Sequence, residues 1–555
     1  MKMMNVDKML AFAGDFGPQQ YILMGLFSVI NILSAFHYFA QTFISVLPNG
    51  YECIATITNT TSNIQRRSLS NMELESTLVK SHHYERCYSQ EDQNLLCQNG
   101  WVYTLDYNYS SIVDELNWIC NDAWKPVLGQ SLFFIGSVFG SMALGILADY
   151  IGRLHVLVLA NMLAVLGNII TFLSNSLPTF AVGRFIAGIA TDSNFVMMYI
   201  IVMEYIRPNM RTFGLNVCIG FFYCIGCMIV PWVAVYSQTW RTFLIFITLP
   251  LLIVLTFYFI VPESAQWLIS RKRIDDSIRC FQRIAKMNGK TIPDTAIEDL
   301  KKYCELNISS QKTGHLIGLF KTPCLRRKIC ILIFKSMVIT LCYDAISRNI
   351  NGLGFSPFVM FTITSSAILP ACLLILSLQD IVGRKAMACS SLFISGLFTS
   401  ITGILITTVP NPDVYFTLAL ALIARFGITV AYNSGAQYAV ELIPTEVRGQ
   451  GVAAVHVAGY AATFFSSHIL YLGEFNRALP ELILGFLSIL GAVTCLFLPE
   501  TLNRTLPVTL DDGEQFGENE GVCDFACCLR TQATSSTLQL VNSATDMKSH
   551  GSMQV

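Results

Sequence analysis

The segment GILADYIGRLHV, residues 145–156, places an aspartate, two glycines and an arginine between two long hydrophobic runs. The segment SLQDIVGRKAMA, residues 377–388, repeats its Leu, Asp, Gly and Arg at the same spacing. Two further pairs follow in the same order, namely VGRF (182–185) with IARF (423–426) and VPES (261–264) with LPET (498–501). Three matched pairs in one order predict a chain built from two repeated halves.

The composition is that of a membrane protein. Of the 555 residues, 53% are hydrophobic and 13% are charged, whereas a soluble globular protein carries about 25% charged residues. We find no Walker-type phosphate loop, no H-E-x-x-H, no G-x-S-x-G and no nucleic-acid-binding module. These absences argue against an ATP-driven pump or an enzyme, and we expect no cofactor, no metal site and no nucleic-acid partner.

Runs of about 20 apolar residues suit helices that cross a bilayer. We therefore predict an all-α membrane protein with twelve transmembrane helices in two pseudo-symmetric six-helix halves. The predicted spans, numbered 1 to 12, are 20–46, 126–148, 155–175, 178–203, 213–236, 240–261, 329–350, 356–378, 386–408, 412–438, 451–472 and 479–498. The corresponding regions are an N-terminal segment (1–19), a first half (20–261), a linker loop (262–328), a second half (329–498) and a largely disordered tail (499–555).

Basic residues near span ends predict the orientation. The SRKR segment (270–273) follows span 6 and the LRRK segment (325–328) precedes span 7, while the loop 47–125 has few bases near its ends. We expect both termini in the cytoplasm, the loop outside the cell, and the protein in the plasma membrane.

The long loop contains features of an extracellular segment. Asn59 and Asn108 begin glycosylation sequons, and unmodified asparagines are the alternative at each. Four cysteines allow three disulfide pairings, and the sequence does not choose among them. The cysteines expected to form disulfides are Cys53, Cys87, Cys97 and Cys120.

The doubled G-x-L-x-D-x-x-G-R pattern resembles the cytoplasmic signature of the major facilitator superfamily. Within this superfamily, three features resemble the organic cation, anion and carnitine transporter family. They are AFAGDFGPQQ (11–20), the cysteine-bearing first loop and LPETLNRTLPVTLDD (498–512). The resemblance covers essentially residues 8–512 and implies a carrier that moves small organic ions by alternating access.

The resemblance also implies a cytoplasmic gate whose contacts close the inner side and part on inward opening. Charges at such turns have a simpler explanation, since they also snorkel and set topology. Leu154-His155, Ala265-Gln266 and Ser377 depart from the family pattern. The implied gate residues are Gly145, Asp149, Gly152, Arg153, Glu204, Arg211, Asp380, Gly383, Arg384, Glu441 and Arg448.

Charges inside spans are functional candidates because each costs about 2.5 to 3.5 kcal/mol on insertion scales. Asp192 lies in span 4, and the alternative to a substrate role is satisfaction by neighbouring groups. Asp344 and Arg348 lie four apart in span 7, so an intrahelical pair is an equally good explanation. Lys335 is expected to snorkel. The predicted substrate-binding residues are Asp192, Phe195, Tyr199, Tyr343, Asp344, Arg348 and Tyr460.

Tyr460 occupies the position where the family's anion and carnitine transporters carry Arg and its cation transporters carry Asp. The carboxylates and tyrosines of the candidate site favour an organic cation or zwitterion through charge and cation–π contact. An organic anion exchanger and a non-transporting, receptor-like protein remain alternatives. The expected partners are a small organic ion and the lipid bilayer, with the C-terminal MQV as a candidate ligand for a PDZ-type groove against the alternative of an ordinary chain end.

Overall fold

The computed structural model describes most of the hydrophobic chain. The described residues are 6–14, 16–53, 84–85, 88–89, 100–206, 218–307, 316–349, 355–410, 412–502, 504–518, 521 and 524–525. Arg211, Asn59, Cys87, Cys97 and the C-terminal MQV therefore lie outside the described residues.

The first half contains six hydrophobic segments at the predicted places. The described part of span 5 contains a π-helical turn, Ile219–Tyr223, and span 6 continues through a 3-10 segment, Leu249–Thr256, to Phe257–Ile260. Such departures from α geometry often occur near functional parts of helices. The α-helices of spans 1 to 6 are Pro18–Ile44, Trp124–Ile151, Arg153–Phe172, Leu177–Tyr205, Cys224–Ser237 and Trp240–Thr248.

The second half repeats this arrangement with two interrupted spans. Span 8 breaks at Ala367, because Pro370 has no amide to donate to the carbonyl four residues earlier. Span 11 breaks after Thr463. The helices of spans 7 to 12 are Pro323–Arg348, Pro357–Ser366 with Ile368–Val382, Arg384–Thr408, Val414–Leu442, Arg448–Thr463 with Ser466–Tyr471, and Leu479–Cys495.

The twelve-helix membrane fold is confirmed. Among the described residues, ten helices are long and apolar enough to cross a membrane. The remaining two predicted spans are the interrupted span 11 and the shorter apolar helix Leu479–Cys495. We name the end of the bundle that carries the described parts of the 47–125 loop the loop face. The opposite end, which carries the helices Val6–Ala13 and Leu510–Gln515, is the terminus face.

The loop after span 1 is anchored to the bundle. Strand Gly50–Cys53 pairs antiparallel with Trp101–Thr104, and Tyr84–Glu85 pairs with Tyr88–Ser89. A short helix, Ile112–Glu115, follows. Its Glu115 accepts hydrogen bonds from the Trp240 indole at 2.6 Å and from Arg241 at 2.7 Å, which attaches the loop to span 6.

Three of the predicted modification sites fall on described residues, namely Cys53, Asn108 and Cys120, and the side chain is described for the last two. Asn108 is exposed and has a positive φ of 56°, and its glycosylation stays a prediction. Cys120 takes part in a disulfide bond. The pairing of the four cysteines stays a prediction as well.

Short helices cover the terminus face. In the first half, Val6–Ala13 lies beside Ile274–Met287 and Asp294–Asn307, and Ala265–Ser270 packs on Ile274–Met287. Asn288 joins them to span 1, because its amide donates to the Gly14 carbonyl at 2.8 Å and accepts from the Gln19 backbone amide at 3.1 Å.

In the second half, the tail helix Leu510–Gln515 lies against the start of span 7. The Glu514 carboxylate accepts from the backbone amides of Cys324 and Leu325 at 2.9 and 2.6 Å, so it caps that helix. The Lys328 ammonium donates to three carbonyls of the same tail segment, those of Gly513, Glu514 and Phe516.

Candidate substrate site and gates

The repeated motifs build the same helix cap twice on the terminus face. At the start of span 3, the backbone amide of Arg153 donates to Glu263 at 2.9 Å. At the start of span 9, the backbone amide of Arg384 donates to Glu500 at 3.0 Å. A carboxylate at a helix N-terminus is stabilised by the amide groups and by the helix dipole. We call these two contacts the P-E caps, after the Pro-Glu dipeptides that contribute them.

The glycines of the motif are required by this geometry. Gly152 and Gly383 have φ values of +106° and +102°, which L side chains rarely adopt. A Cβ at Gly152 would also lie 2.4 Å from the Glu263 carboxylate. By contrast, a Cβ at Gly145 would meet no atom within 4 Å.

The charged gate residues that the structure describes make contacts within their own half. Arg153 pairs with Asp149 at 3.3 Å. In the second half, Arg384 pairs with Asp380 at 2.8 Å and with Glu441 at 3.2 Å.

The two glutamates of spans 4 and 10 have matching partners. Ser264 donates to Glu204 at 2.6 Å, and Thr501 donates to Glu441 at 2.5 Å. The guanidinium of Arg448 donates to the Ile443 carbonyl at 3.2 Å. The role of these residues as a gate between the halves stays a prediction.

The two halves are joined by hydrogen bonds near the loop face. Arg348 of span 7 donates to the Thr42 hydroxyl at 2.7 Å and to the Tyr38 carbonyl at 2.8 Å, both in span 1. Ser131 of span 2 lies 2.9 Å from Ser467 beyond the break in span 11. These contacts close the bundle at the loop face.

The buried carboxylate of Asp344 lies at the centre of this closure. It is 0% exposed and accepts from Arg348 at 2.8 Å, Tyr38 at 2.8 Å and Ser466 at 2.6 Å. The intrahelical pair that the spacing suggested is therefore present. We call Tyr38, Thr42, Asp344, Arg348 and Ser466 the loop-face latch.

Aromatic rings pack around the latch. The Arg348 guanidinium lies over the rings of Tyr38 and Phe39 at 5.0 and 5.1 Å. Phe39 and Phe43 of span 1 meet Phe361 of span 8 at centroid distances of 4.9 and 5.2 Å. The ion pair is therefore packed against aromatic rings of spans 1 and 2.

Asp192 lies deeper, between the halves. Its carboxylate accepts from the Tyr460 hydroxyl at 3.1 Å across the two halves and from the Ser141 hydroxyl at 3.2 Å. The residue is partly exposed. Within the described residues, no Lys, Arg or His nitrogen approaches this carboxylate within salt-bridge distance, unlike that of Asp344.

Aromatic side chains lie on both sides of Asp192. On the first half, Phe195 stacks on Tyr199 at 6.0 Å and contacts Phe27 at 5.9 Å. On the second half, Tyr343 stacks on Tyr432 at 4.6 Å. The structure thus joins Tyr460 to Asp192 and stacks Phe195 on Tyr199 in the same helix as Asp192, while Asp344 and Arg348 belong to the latch.

Tyr432 is a site residue that the sequence reasoning missed. Its side chain lies beside Asp192 and Tyr460. Aligning VGRF with IARF places the segment 190–193, Ala-Thr-Asp-Ser, against 431–434, Ala-Tyr-Asn-Ser. The repeat therefore contained a signal, because Tyr432 precedes the counterpart of Asp192.

Besides Arg348, the buried cations of the bundle include Lys335, Arg425 and Arg184. Lys335 is only 1% exposed and its ammonium lies 4.6 Å from the Tyr438 ring centroid, so the expectation that it snorkels is wrong. The Arg425 guanidinium lies 4.4 Å from the Tyr343 ring centroid and donates to the Tyr343 carbonyl at 3.2 Å. Arg184 lies over the Phe133 ring at 4.7 Å. All three contact aromatic rings of the protein.

Comparison with known proteins identifies the family. The family described as "Sugar (and other) transporter" matches residues 86–508. The chain belongs to this transporter family. A carcinine transporter of Drosophila melanogaster is 30% identical, with 94% of this chain and 81% of the relative covered. The resemblance found in the sequence and the transporter function are thereby confirmed.

Two more relatives and two solved structures agree with this assignment. An organic cation transporter protein of Drosophila melanogaster is 28% identical, covering 93% of this chain and 95% of the relative. Organic cation/carnitine transporter 2 of Homo sapiens is also 28% identical, covering 92% and 94%.

The solved structures show the fold. A partially occluded inward open conformation of the xylose transporter XylE from E. coli has a TM-score of 0.57 at 16% identity, covering 88% of this chain and 99% of the other. A structure of the same proton:xylose symporter, described as a major facilitator superfamily protein, has a TM-score of 0.54 at 18% identity, covering 71% and 89%. The major facilitator fold is thus confirmed.

Proposed function

We propose that this transporter moves a small organic cation, or a zwitterion that presents an ammonium group, with Asp192 as its anionic anchor. The observation that supports the proposal is the partly exposed Asp192 carboxylate between the halves, which lacks a cationic partner in the described residues while Asp344 is neutralised by Arg348. A charged carboxylate at membrane depth costs about 2.5 to 3.5 kcal/mol, and a bound cation offsets that cost.

The surroundings of Asp192 suit an organic ammonium. Tyr460 and Ser141 orient the carboxylate, and Phe195 and Tyr199 provide ring faces for cation–π contact. Arg184 and Arg425 are fully buried against aromatic rings of the protein, which disfavours an organic anion as cargo. The names of the relatives, which refer to organic cations, carnitine and carcinine, point in the same direction.

We assign the loop-face latch to the closed outer gate of an inward-facing state. In this scheme the loop face is extracellular, both termini are cytoplasmic and the protein lies in the plasma membrane. When the latch opens, the motif residues around Arg153 and Arg384 approach each other and close the terminus face. Surface ion pairs of about 0 to 1 kcal/mol each suit this role, because they bias the equilibrium without locking it.

Uptake in oocytes tests the proposal. We would compare radiolabelled tetraethylammonium, carnitine and p-aminohippurate as a cation, a zwitterion and an anion, and measure surface expression by biotinylation. Wild type is expected to accumulate the cation or the zwitterion saturably. Because Asp192→Asn removes one charge contact, it should lower that uptake about 10-fold at unchanged surface expression.

The matched control is Asp122→Asn, which changes an exposed carboxylate of the loop. Uptake equal to wild type in both variants would overturn the assignment of Asp192. Uptake of p-aminohippurate alone would overturn the class of cargo. Saturable uptake in expressing oocytes above that of water-injected oocytes would indicate a carrier, whereas uptake equal to that of water-injected oocytes would indicate a receptor-like protein.

A further inference from the structure

A cavity opens at the loop face, above the latch and apart from Asp192. Its volume is about 760 Å³, which lies within the roughly 300 to 1,000 Å³ of small-molecule sites. The first half and its loop contribute Leu47, Asp106 and Trp118 to the wall, and the second half contributes Phe355 and Glu481. The cavity is therefore formed between the two halves.

Glu481 of span 12 is the buried carboxylate of this cavity. The residue is 7% exposed, and its Oε1 accepts from the Asn349 amide at 2.8 Å. Its Oε2 receives no hydrogen bond from the described residues. Asp106, on the opposite wall, has a buried Oδ2 that likewise lacks a hydrogen-bond partner in the part of the chain that the structure describes. Two incompletely satisfied carboxylates thus line one cavity.

The positive charge nearest to the cavity floor is already engaged. Arg348 lines the cavity, but its three guanidinium nitrogens donate to Asp344, Thr42 and the Tyr38 carbonyl. Arg477 also lines the wall, at a distance beyond salt-bridge range from both carboxylates. The cavity therefore combines available acceptors with the aromatic walls Trp118 and Phe355, and this chemistry suits a cation with an apolar body.

We infer that this cavity is an outer binding site for an organic cation, occupied from the loop face while the transporter is closed there. Glu481 supplies the charge contact, and the aromatic walls enclose the apolar body of the ligand. Because the two walls belong to different halves, the cavity keeps its shape only while the latch holds the halves together. A ligand bound there stabilises the latched state and slows transport without competing for Asp192.

The inference takes its ligand class from the proposed function, but it concerns a separate site, and binding measurements distinguish the two. We would reconstitute the purified full-length protein in nanodiscs and measure equilibrium binding of radiolabelled tetrabutylammonium. Wild type is expected to bind two equivalents. Asp192→Asn should retain the outer site, and Glu481→Gln should retain the inner site with the outer affinity reduced about 10-fold, equal to one charge contact of about 1.4 kcal/mol.

Inhibition from the loop face provides a second readout. Efflux of a preloaded cation from oocytes is measured while tetrabutylammonium is applied outside. Glu481→Gln should raise the half-inhibitory concentration about 10-fold, whereas the control Asp122→Asn, an exposed carboxylate of the loop outside the cavity lining, should change it less than about 2-fold.

Should Glu481→Gln fail to fold, Phe355→Leu tests the same site, because it removes a ring from the wall and is expected to weaken outer binding about 3-fold. Outer binding and inhibition unaffected by Glu481→Gln and Phe355→Leu would overturn the outer site, and so would a single equivalent in wild type that Asp192→Asn abolishes. A single equivalent that survives Asp192→Asn and weakens in Glu481→Gln would support the outer site and overturn the role of Asp192. If Asp192→Asn still binds two equivalents of tetrabutylammonium, and Glu481→Gln weakens one of them, the outer site is supported and the role of Asp192 is overturned.

Discussion

The Arg348 guanidinium donates to the Thr42 hydroxyl at 2.7 Å, so that one side chain of the second half is tied directly to span 1 of the first. The same guanidinium neutralises Asp344, which is fully buried. Removing one partner of a buried pair leaves the other charge without compensation and costs about 3 to 5 kcal/mol. The latched state is therefore sensitive to a single substitution at position 348.

We predict that Arg348→Met destabilises closure at the loop face. The expected result is faster hydrogen–deuterium exchange at the loop-face ends of spans 1 and 7, measured by mass spectrometry on the purified protein. Arg273→Gln is the control, since this exposed residue pairs with its neighbour Asp276 on the terminus face. Equal exchange in Arg348→Met and wild type would contradict the role of the latch.

The hydrogen bond between Tyr460 and Asp192 gives a second prediction. Tyr460→Phe keeps the ring but removes the donor at 3.1 Å. Loss of one hydrogen bond to a charged group costs about 1.5 to 3 kcal/mol, so we expect KM for a transported cation to change by about 10-fold or more with surface expression unchanged. Saturation uptake measures this change. Tyr415→Phe, which alters a tyrosine that is 76% exposed, should leave KM as in wild type.

The glycines with positive φ give a third prediction. Gly152→Ala places a methyl group 2.4 Å from the Glu263 carboxylate and forces an L residue into an unfavourable backbone conformation. We expect a loss of more than about 1 kcal/mol of stability, read as a lower thermal unfolding temperature in detergent. Gly25→Ala in span 1 is the control, because its Cβ would meet no atom within 4 Å. A Gly152→Ala protein as stable as Gly25→Ala would refute the steric argument.

The tail helix gives a prediction about pH. Burial acts to raise the pKa of the Glu514 carboxyl, but hydrogen bonds from Thr322 and from the amides of Leu325 and Cys324 outweigh it and lower the pKa from 4.5 to about 2. A depressed pKa stabilises docking above the ordinary value, and this stabilisation is lost as pH falls from 4.5 towards 2.

We therefore expect the segment 510–516 to lose protection from hydrogen exchange as pH falls through that window, after correction for intrinsic rates. Glu514→Gln should remove this dependence and reduce protection at neutral pH. Glu518→Gln, an exposed carboxylate just beyond the tail helix, should behave as wild type. Protection that is independent of pH in wild type would contradict the assigned contact.

Much of the architecture follows from short-range chemistry and was therefore predictable. The backbone at Gly152 has a positive φ, and the Pro-Glu dipeptide at 262–263 supplies the carboxylate that caps the start of span 3. Both features recur in the second half, so their repetition in the sequence predicts the repeated fold. The apolar runs predict the spans within a few residues. Pro370 in the sequence accounts for the break in span 8.

The long-range contacts of the site were not predictable in the same way. Tyr38 and Ser466 reach Asp344 from two other helices, and their approach depends on how the halves are tilted in this state. The spacing of Asp344 and Arg348 predicts their ion pair, but it does not predict that both side chains also form hydrogen bonds with span 1 of the other half. Burial of Lys335 against Tyr438 likewise depends on packing between spans 7 and 10.

The P-E caps lie wholly within their own halves, in contrast to the latch, which crosses between them. A contact that is made within one rigid body persists in every state of the transport cycle. Inherited or engineered substitutions at Glu263 and Glu500 should therefore reduce the number of carriers that mature and reach the cell surface. Those carriers that do arrive should turn over at a normal rate, which separates a defect of biogenesis from a defect of gating.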